Sequence, residues 1–219
     1  MSEIINAFLL VFAALFPVVN PLGGAPIFLS LTSGSSESER NRLARGVAFN
    51  GFWLLLGSLL LGSEILEFFG ITIPVVRVAG GLLVTAMGWK LLNEGTVAPE
   101  REAVRKETKK SEINDSFYPL TLPLTVGPGS ISVALTIGSH RPAGQSPEYA
   151  LIAAAILGLA AVALSIYVCY RFAAPLAKFL GKVGINVLVR LSAFILVCIG
   201  IQIAWSGVSA LLATLGQPA

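Results

Sequence analysis

Long apolar runs alternate along this chain with short polar or charged stretches. From Glu3 to Glu37 lie 33 residues without a charge, and Leu191 to Ala219 carries none. About 20 consecutive apolar residues are enough for a helix to cross a bilayer. The pattern predicts six spans, at roughly 4–31, 46–66, 74–93, 116–138, 149–170 and 187–212. Local signals mark several starts. Ser36 and Glu39 in "SSESER" form a capping-box pair, in which the Ser oxygen accepts from the backbone N–H three residues on. Ser146–Pro147 offers a cap and a first-turn proline before span five, and Pro74 suits the first turn of span three.

Two of the six runs are interrupted. Residues 16–28 read "FPVVNPLGGAPIF" and residues 118–130 read "YPLTLPLTVGPGS". Pro17, Pro21 and Pro26 align at one spacing with Pro119, Pro123 and Pro128, and Phe16 aligns with Tyr118. Further on, Gly88 and Gly95 align with Gly200 and Gly207 after short indels. These matches divide the chain into a first three-span repeat over 1–93, a connecting loop over 94–115 and a second repeat over 116–219. An odd number of spans per copy makes the second copy enter from the opposite face. The predicted fold is therefore an all-α membrane protein, six transmembrane helices as two inverted three-helix repeats with helices 1 and 4 broken.

A proline inside a helix removes one N–H and leaves the carbonyl four residues back without its partner. Such groups are costly against lipid, so they must face protein, water or a ligand. Where helix resumes after a break, its first N–H groups favour an anion. Glycines let backbone approach whatever binds. The expected substrate site is accordingly Asn20, Pro21, Gly23, Gly24 and Pro26 with Thr121, Pro123, Thr125, Gly127, Pro128, Gly129 and Ser130; Ser132 adds a further hydroxyl. Carbonyls suit an ammonium, N–H groups suit a carboxylate, and no fixed charge is present. That chemistry fits a small zwitterion or small neutral solute. The plainer alternative is that the prolines kink two packed helices whose glycines allow close contact.

Composition agrees with a membrane protein: 55% hydrophobic residues, 12% charged and a mean hydropathy of +0.80. Its net charge of +3 does not call for nucleic acid, because the basic residues fall in loops. With six spans, Arg40, Arg42, Arg45, Lys90, Arg101, Arg105, Lys106, Lys109, Lys110, Arg171, Lys178, Lys182 and Arg190 gather on one side, against Arg77 and Arg141 on the other. The positive-inside rule puts both termini outside the cytoplasm and the 94–115 loop within it. No basic leader precedes the first run, so a cleaved signal peptide is not expected.

Other polar residues have plain roles first. Arg77 and Arg190, near the starts of spans three and six, suit snorkelling, with gating or a carboxylate contact as the alternative. Asn50 and Gln202 suit interhelical hydrogen bonds, with solute contact as the alternative. Glu64 and Glu67 fall at a boundary, His140 has no partner ligands nearby, and Cys169 and Cys198 read as small buried hydrophobes. Trp53, Trp89 and Trp205 read as packing or interface anchors, and the stripe Gly80, Gly81, Thr85 and Gly88 as a packing face. No phosphate loop, zinc set or triad is present, so no enzyme is expected.

The segments "NPLGGAPIFLSLT", "RVAGGLLVTAMGW" and "PLTLPLTVGPGSI" resemble the MarC family of bacterial and archaeal inner-membrane proteins, and "RLSAFILVCIGIQI" resembles that family's last span. The resemblance covers nearly the whole chain. It implies a LysE-like six-span architecture, a cell (inner) membrane location and a branch that transports small neutral amino acids such as glycine and alanine. The expected function is thus a secondary transporter, an exporter or exchanger, working by alternating access. The alternatives are a LysE-like metal or other ion exporter and a non-transporting membrane scaffold. Expected partners are a small-molecule substrate and membrane lipid, with a homo-oligomer left open. No cofactor or metal is expected, and the coupling ion, H+ or Na+, is undecided.

Overall fold

A computed structural model of the chain describes residues 2–94, 115–139 and 148–215, and every regular element among them is helical. The first apolar run forms α1 (Ser2–Val19) and α2 (Pro21–Leu31), bent by 40° at Asn20. Next comes α3 (Glu37–Phe68), which opens on the predicted capping box. Ser36 N–H donates to Glu39 Oε2 at 2.7 Å, and Glu39 N–H donates to Ser36 Oγ at 3.3 Å. This helix starts at Glu37 rather than near residue 46. Hydropathy marks the part of a helix that meets lipid, whereas the charged turns before it are equally helical. Pro74 sits in the first turn of α4 (Ile73–Glu94), as expected.

The fourth run again splits, into a wide-turned segment α5 (Ser116–Thr125) and α6 (Pro128–Ser139), bent by 73°. Then follow α7 (Glu148–Arg171) and α8 (Ala173–Leu215). α8 begins well before the expected 187, because a short helix precedes Gly181. That glycine has φ 63°, where a side chain is disfavoured, and it redirects the chain into the apolar stretch. Most of the 94–115 loop, the Ser146–Pro147 cap, His140, Arg141 and Gly95 lie outside the described residues.

Among the described residues, four helical stretches are long and apolar enough to span a bilayer by themselves: Glu37–Gly62, Ile73–Asn93, Ala150–Arg171 and Val183–Ala213. The two bent pairs make six if each counts as one span. Large apolar side chains face outward along these helices, among them Leu10, Leu61, Leu157, Leu164 and Trp205. In water such a surface would be an aggregation hazard; against acyl chains it is the natural exterior. The chain is a multi-pass membrane protein.

Inside, the main apolar core joins α1, α3, α5, α6 and α7, with Leu15, Leu55, Leu120, Leu159 and Ile166 fully buried. A second cluster joins α4 and α8 through Val84, Val189, Ala193 and Leu196. These two helices run antiparallel and nearly touch backbone to backbone. A Cβ on Gly88 would fall 2.8 Å from Val197 N and 2.9 Å from Ala193 O, and one on Gly200 would strike Thr85 N and lie 2.8 Å from Gly81 O. Close approach through small residues is how membrane helices gain contact where lipid removes the hydrophobic drive. The stripe of Gly80, Gly81, Thr85 and Gly88 is thus a packing face; Gly80 accommodates Ser132 of α6, whose hydroxyl donates to Val76 O at 3.0 Å.

Each bent pair rests on helices from the other half of the chain. α2 packs on α7 and α8, and α6 packs on α3 and α4. The two breaks are thereby brought to the same region.

Candidate functional site

The first break is made by one residue. Asn20 is left-handed (φ 49°, ψ 57°), a conformation that asparagine tolerates better than other side-chain-bearing residues. Its Oδ1 accepts the Gly23 N–H at 3.1 Å, and Pro21 occupies the next position, where a missing N–H does no harm. A Cβ on Gly23 would collide with the Asn20 amide, so this cap needs glycine there. With its oxygen engaged, Asn20 keeps an amide nitrogen that makes no hydrogen bond among the described residues.

The second break is built differently. In α5 the bonds skip five residues: Thr121 Oγ1 donates to Ser116 O and Thr125 Oγ1 to Leu120 O, each at 2.7 Å, and Val126 N–H donates to Thr121 O at 2.8 Å. The peptides before Pro119 and Pro123 are cis. Val126 is extended, Gly127 follows, and α6 starts at Pro128. Ser130 Oγ donates back to Gly127 O at 3.0 Å.

Both breaks open onto one cavity of about 60 Å³. A single water needs roughly 10–15 Å³ on this measure, so the space suits a handful of waters or a solute of a few heavy atoms. Asn20, Gly23 and Gly24 line it from the first segment; Thr125, Gly127 and Ser130 line it from the second. Val84, Met87 and Leu91 of α4 and Leu196 of α8 supply an apolar wall. Among the described residues, no charged side chain lines it. Its electrostatics come from helix ends instead: α1 terminates at Val18 and Val19, which line the space, while α2 and α6 begin beside it. Carbonyls at a helix end carry partial negative charge and N–H groups at a helix start partial positive charge.

Of the twelve residues expected at a substrate site, six therefore line the cavity. Pro21 is buried in the first turn of α2, Pro26 half-buried further along, and Thr121 bonded within α5. Gly129 packs against Val84, while Pro123 and Pro128 are exposed. Arg77, Arg190, Asn50 and Gln202 do not line it. Asn50 Nδ2 donates to Ser116 Oγ at 3.2 Å, an interhelical bond that ties α3 to α5. Gln202 and Arg190 are exposed on α8, and Arg77 is half-buried near the start of α4. Among the described residues, no group of three or more His, Cys, Asp or Glu side chains is placed to hold a metal.

The apolar wall was not legible in advance, since Val84, Met87, Leu91 and Leu196 look in sequence like any lipid-facing residue. Tyr170 was equally hidden. It lies directly behind Gly24 and Thr125 and is wholly buried.

Apolar spanning helices, with two interrupted segments converging on one cavity between them, define a polytopic membrane protein. The chain belongs to the MarC family: the model for MarC family integral membrane proteins matches residues 5–212. It is 31% identical to the inner membrane protein MarC of Salmonella typhimurium over 219 residues, covering 98% of this chain and 99% of that protein. It is 35% identical to the membrane protein YvbG of Bacillus subtilis over 201 residues, 90% of this chain and 92% of that one. The inner membrane protein MarC of Escherichia coli is 30% identical over 219 residues, 98% of this chain and 99% of that one. No solved structure matches the chain significantly.

Proposed function

We propose that this protein is a secondary transporter of small neutral amino acids or similar small zwitterions in the cytoplasmic (inner) membrane, working by alternating access of two inverted halves. The observation that carries this is a cavity lined by both interrupted segments and, among the described residues, by no charged side chain, with Asn20, Gly23 and Gly24 facing Thr125, Gly127 and Ser130. Paired broken helices that meet at one site mark the binding centre of many secondary transporters. An ammonium suits the terminal carbonyls of α1, and a carboxylate suits the first N–H groups of α6 together with the Asn20 amide. A cavity of about 60 Å³ with an apolar wall favours side chains as small as a hydrogen or a methyl group. A divalent cation would want oxygen ligands that include carboxylates, and among the described residues none lines the cavity.

Support for the inverted arrangement comes from the α4–α8 contact. Gly88 meets Val197 N and Ala193 O, and Gly200 meets Thr85 N and Gly81 O. The second contact is the first with the halves exchanged, which is what a two-fold axis through the pair produces. A positive-φ glycine also precedes each of these spans, Gly70 at φ 65° and Gly181 at φ 63°. With the basic ends of the helices facing the cytoplasm, both termini lie outside it.

Reconstituted protein tests the proposal. Proteoliposomes preloaded with glycine or alanine are expected to exchange labelled alanine saturably, and Na+ and H+ gradients identify any coupling ion. Absence of saturable flux for every small neutral amino acid under all gradients would refute it.

A further inference from the structure

We propose that Tyr170 is a positioning residue that latches the two interrupted segments to each other through α7 and so holds the cavity in its narrow form. A tyrosine in the last turn of a span, next to Arg171, would ordinarily anchor at the membrane surface with its hydroxyl in water. Tyr170 instead turns inward and is fully buried. Its ring stacks on Phe28 of α2, with centroids 4.5 Å apart and planes 17° from parallel. Its hydroxyl lies 2.8 Å from Thr125 Oγ1 at the end of α5. Thr125 gives its only hydroxyl hydrogen to Leu120 O at 2.7 Å, so Tyr170 is the donor in this pair. On the other side, a Cβ on Gly24 would fall 2.6 Å from the Tyr170 hydroxyl oxygen.

One side chain therefore touches the wall of the cavity from both segments, at Gly24 and at Thr125, which themselves line the space. The glycine is what lets the hydroxyl reach across α2 to α5. Separating the segments means breaking this bond, and a buried hydrogen bond is costly to lose. Removing the hydroxyl alone takes away the tie and spares the ring stack.

The test uses thermal unfolding and thiol labelling of the full-length protein in membranes, with Cys169→Ala and Cys198→Ala as background and Ser130→Cys as a reporter in the cavity. Tyr170→Phe should raise the labelling rate of that reporter by a small hydrophilic thiol reagent about five- to tenfold, the effect of one lost buried hydrogen bond. Thr125→Val, which removes the same tie from the other side, should raise labelling too, and adding Tyr170→Phe to it should give no further increase. In the thermal assay, Gly24→Ala should lower the unfolding temperature with Tyr170 present, and Tyr170→Phe should restore most of that loss by clearing the hydroxyl. Unchanged labelling in Tyr170→Phe, additive effects of the two tie-breaking variants, or a Gly24→Ala defect that Tyr170→Phe leaves in place would each overturn the latch. The latch deepens the transporter proposal but is judged without cargo. A wild-type protein that exchanges no amino acid would refute the proposed function while these readouts still decide the latch.

Discussion

Asn20 holds a left-handed backbone, at φ 49° and ψ 57°, in the middle of an apolar run, and it is the residue on which the first break turns. Three substitutions separate its roles. Asn20→Gly keeps the backbone freedom and, as a cap, should cost only a few tenths of a kcal/mol. Asn20→Ala loses the cap and leaves a Cβ in the left-handed region without the local hydrogen bond that offsets its cost, so it should unfold about 1–2 kcal/mol more easily than Asn20→Gly. Asn20→Asp keeps the oxygen that accepts Gly23 N–H but replaces the amide donor with a charge. It should fold like the wild type and bind alanine at least about tenfold more weakly, a difference of 1.4 kcal/mol. Thermal unfolding with and without alanine measures all three, and wild-type affinity in Asn20→Asp would remove this residue from the site. Asn20 and Gly23 were visible in sequence because a polar residue and a glycine beside prolines have no reason to sit in lipid. Thr125 was visible as well, but its hydroxyl is engaged by Leu120 O and Tyr170, so it offers the cavity less hydrogen bonding than its chemistry suggests.

At the scale of elements, the helices followed from hydropathy and the two breaks from proline and glycine, because both signals are local. Their lengths did not follow. α3 runs on through the charged turns 37–45, and α8 gains a short helix before Gly181, since charge reports the edge of the lipid and not the end of a helix. Which apolar face turns inward was also hidden: in a membrane the buried and lipid-facing sides of a helix are both apolar, so periodicity carries little contrast. The glycines of α4 and α8 are the exception. They mark the contact because only a missing side chain permits it. Gly200→Ala places a methyl against the backbone of Gly81 and Thr85 and should destabilise the protein by about 1–3 kcal/mol. Gly88→Ala should cost a similar amount, as the exchanged contact. Ile201→Ala, beside Gly200 but more than half exposed to lipid, should fall within about 0.5 kcal/mol of wild type. Unfolding temperatures in one detergent compare the three. Tolerance of alanine at position 200 but not at 88 would argue against equivalent halves.

At the scale of the molecule, two interrupted segments far apart in sequence meet in a space that, among the described residues, contains helix ends of both signs and no formal charge. A ligand with one ammonium and one carboxylate satisfies both ends at once, whereas one lacking either group leaves buried polar groups unpaired, at about 1–3 kcal/mol each. Binding of labelled alanine to purified protein, in competition with alaninamide and with propionate, tests this most directly. Alanine should bind saturably, and both competitors, each missing one of the two charges, should displace it at least about tenfold less well than unlabelled alanine. No saturable alanine binding, or displacement by propionate or alaninamide as effective as by alanine itself, would contradict it.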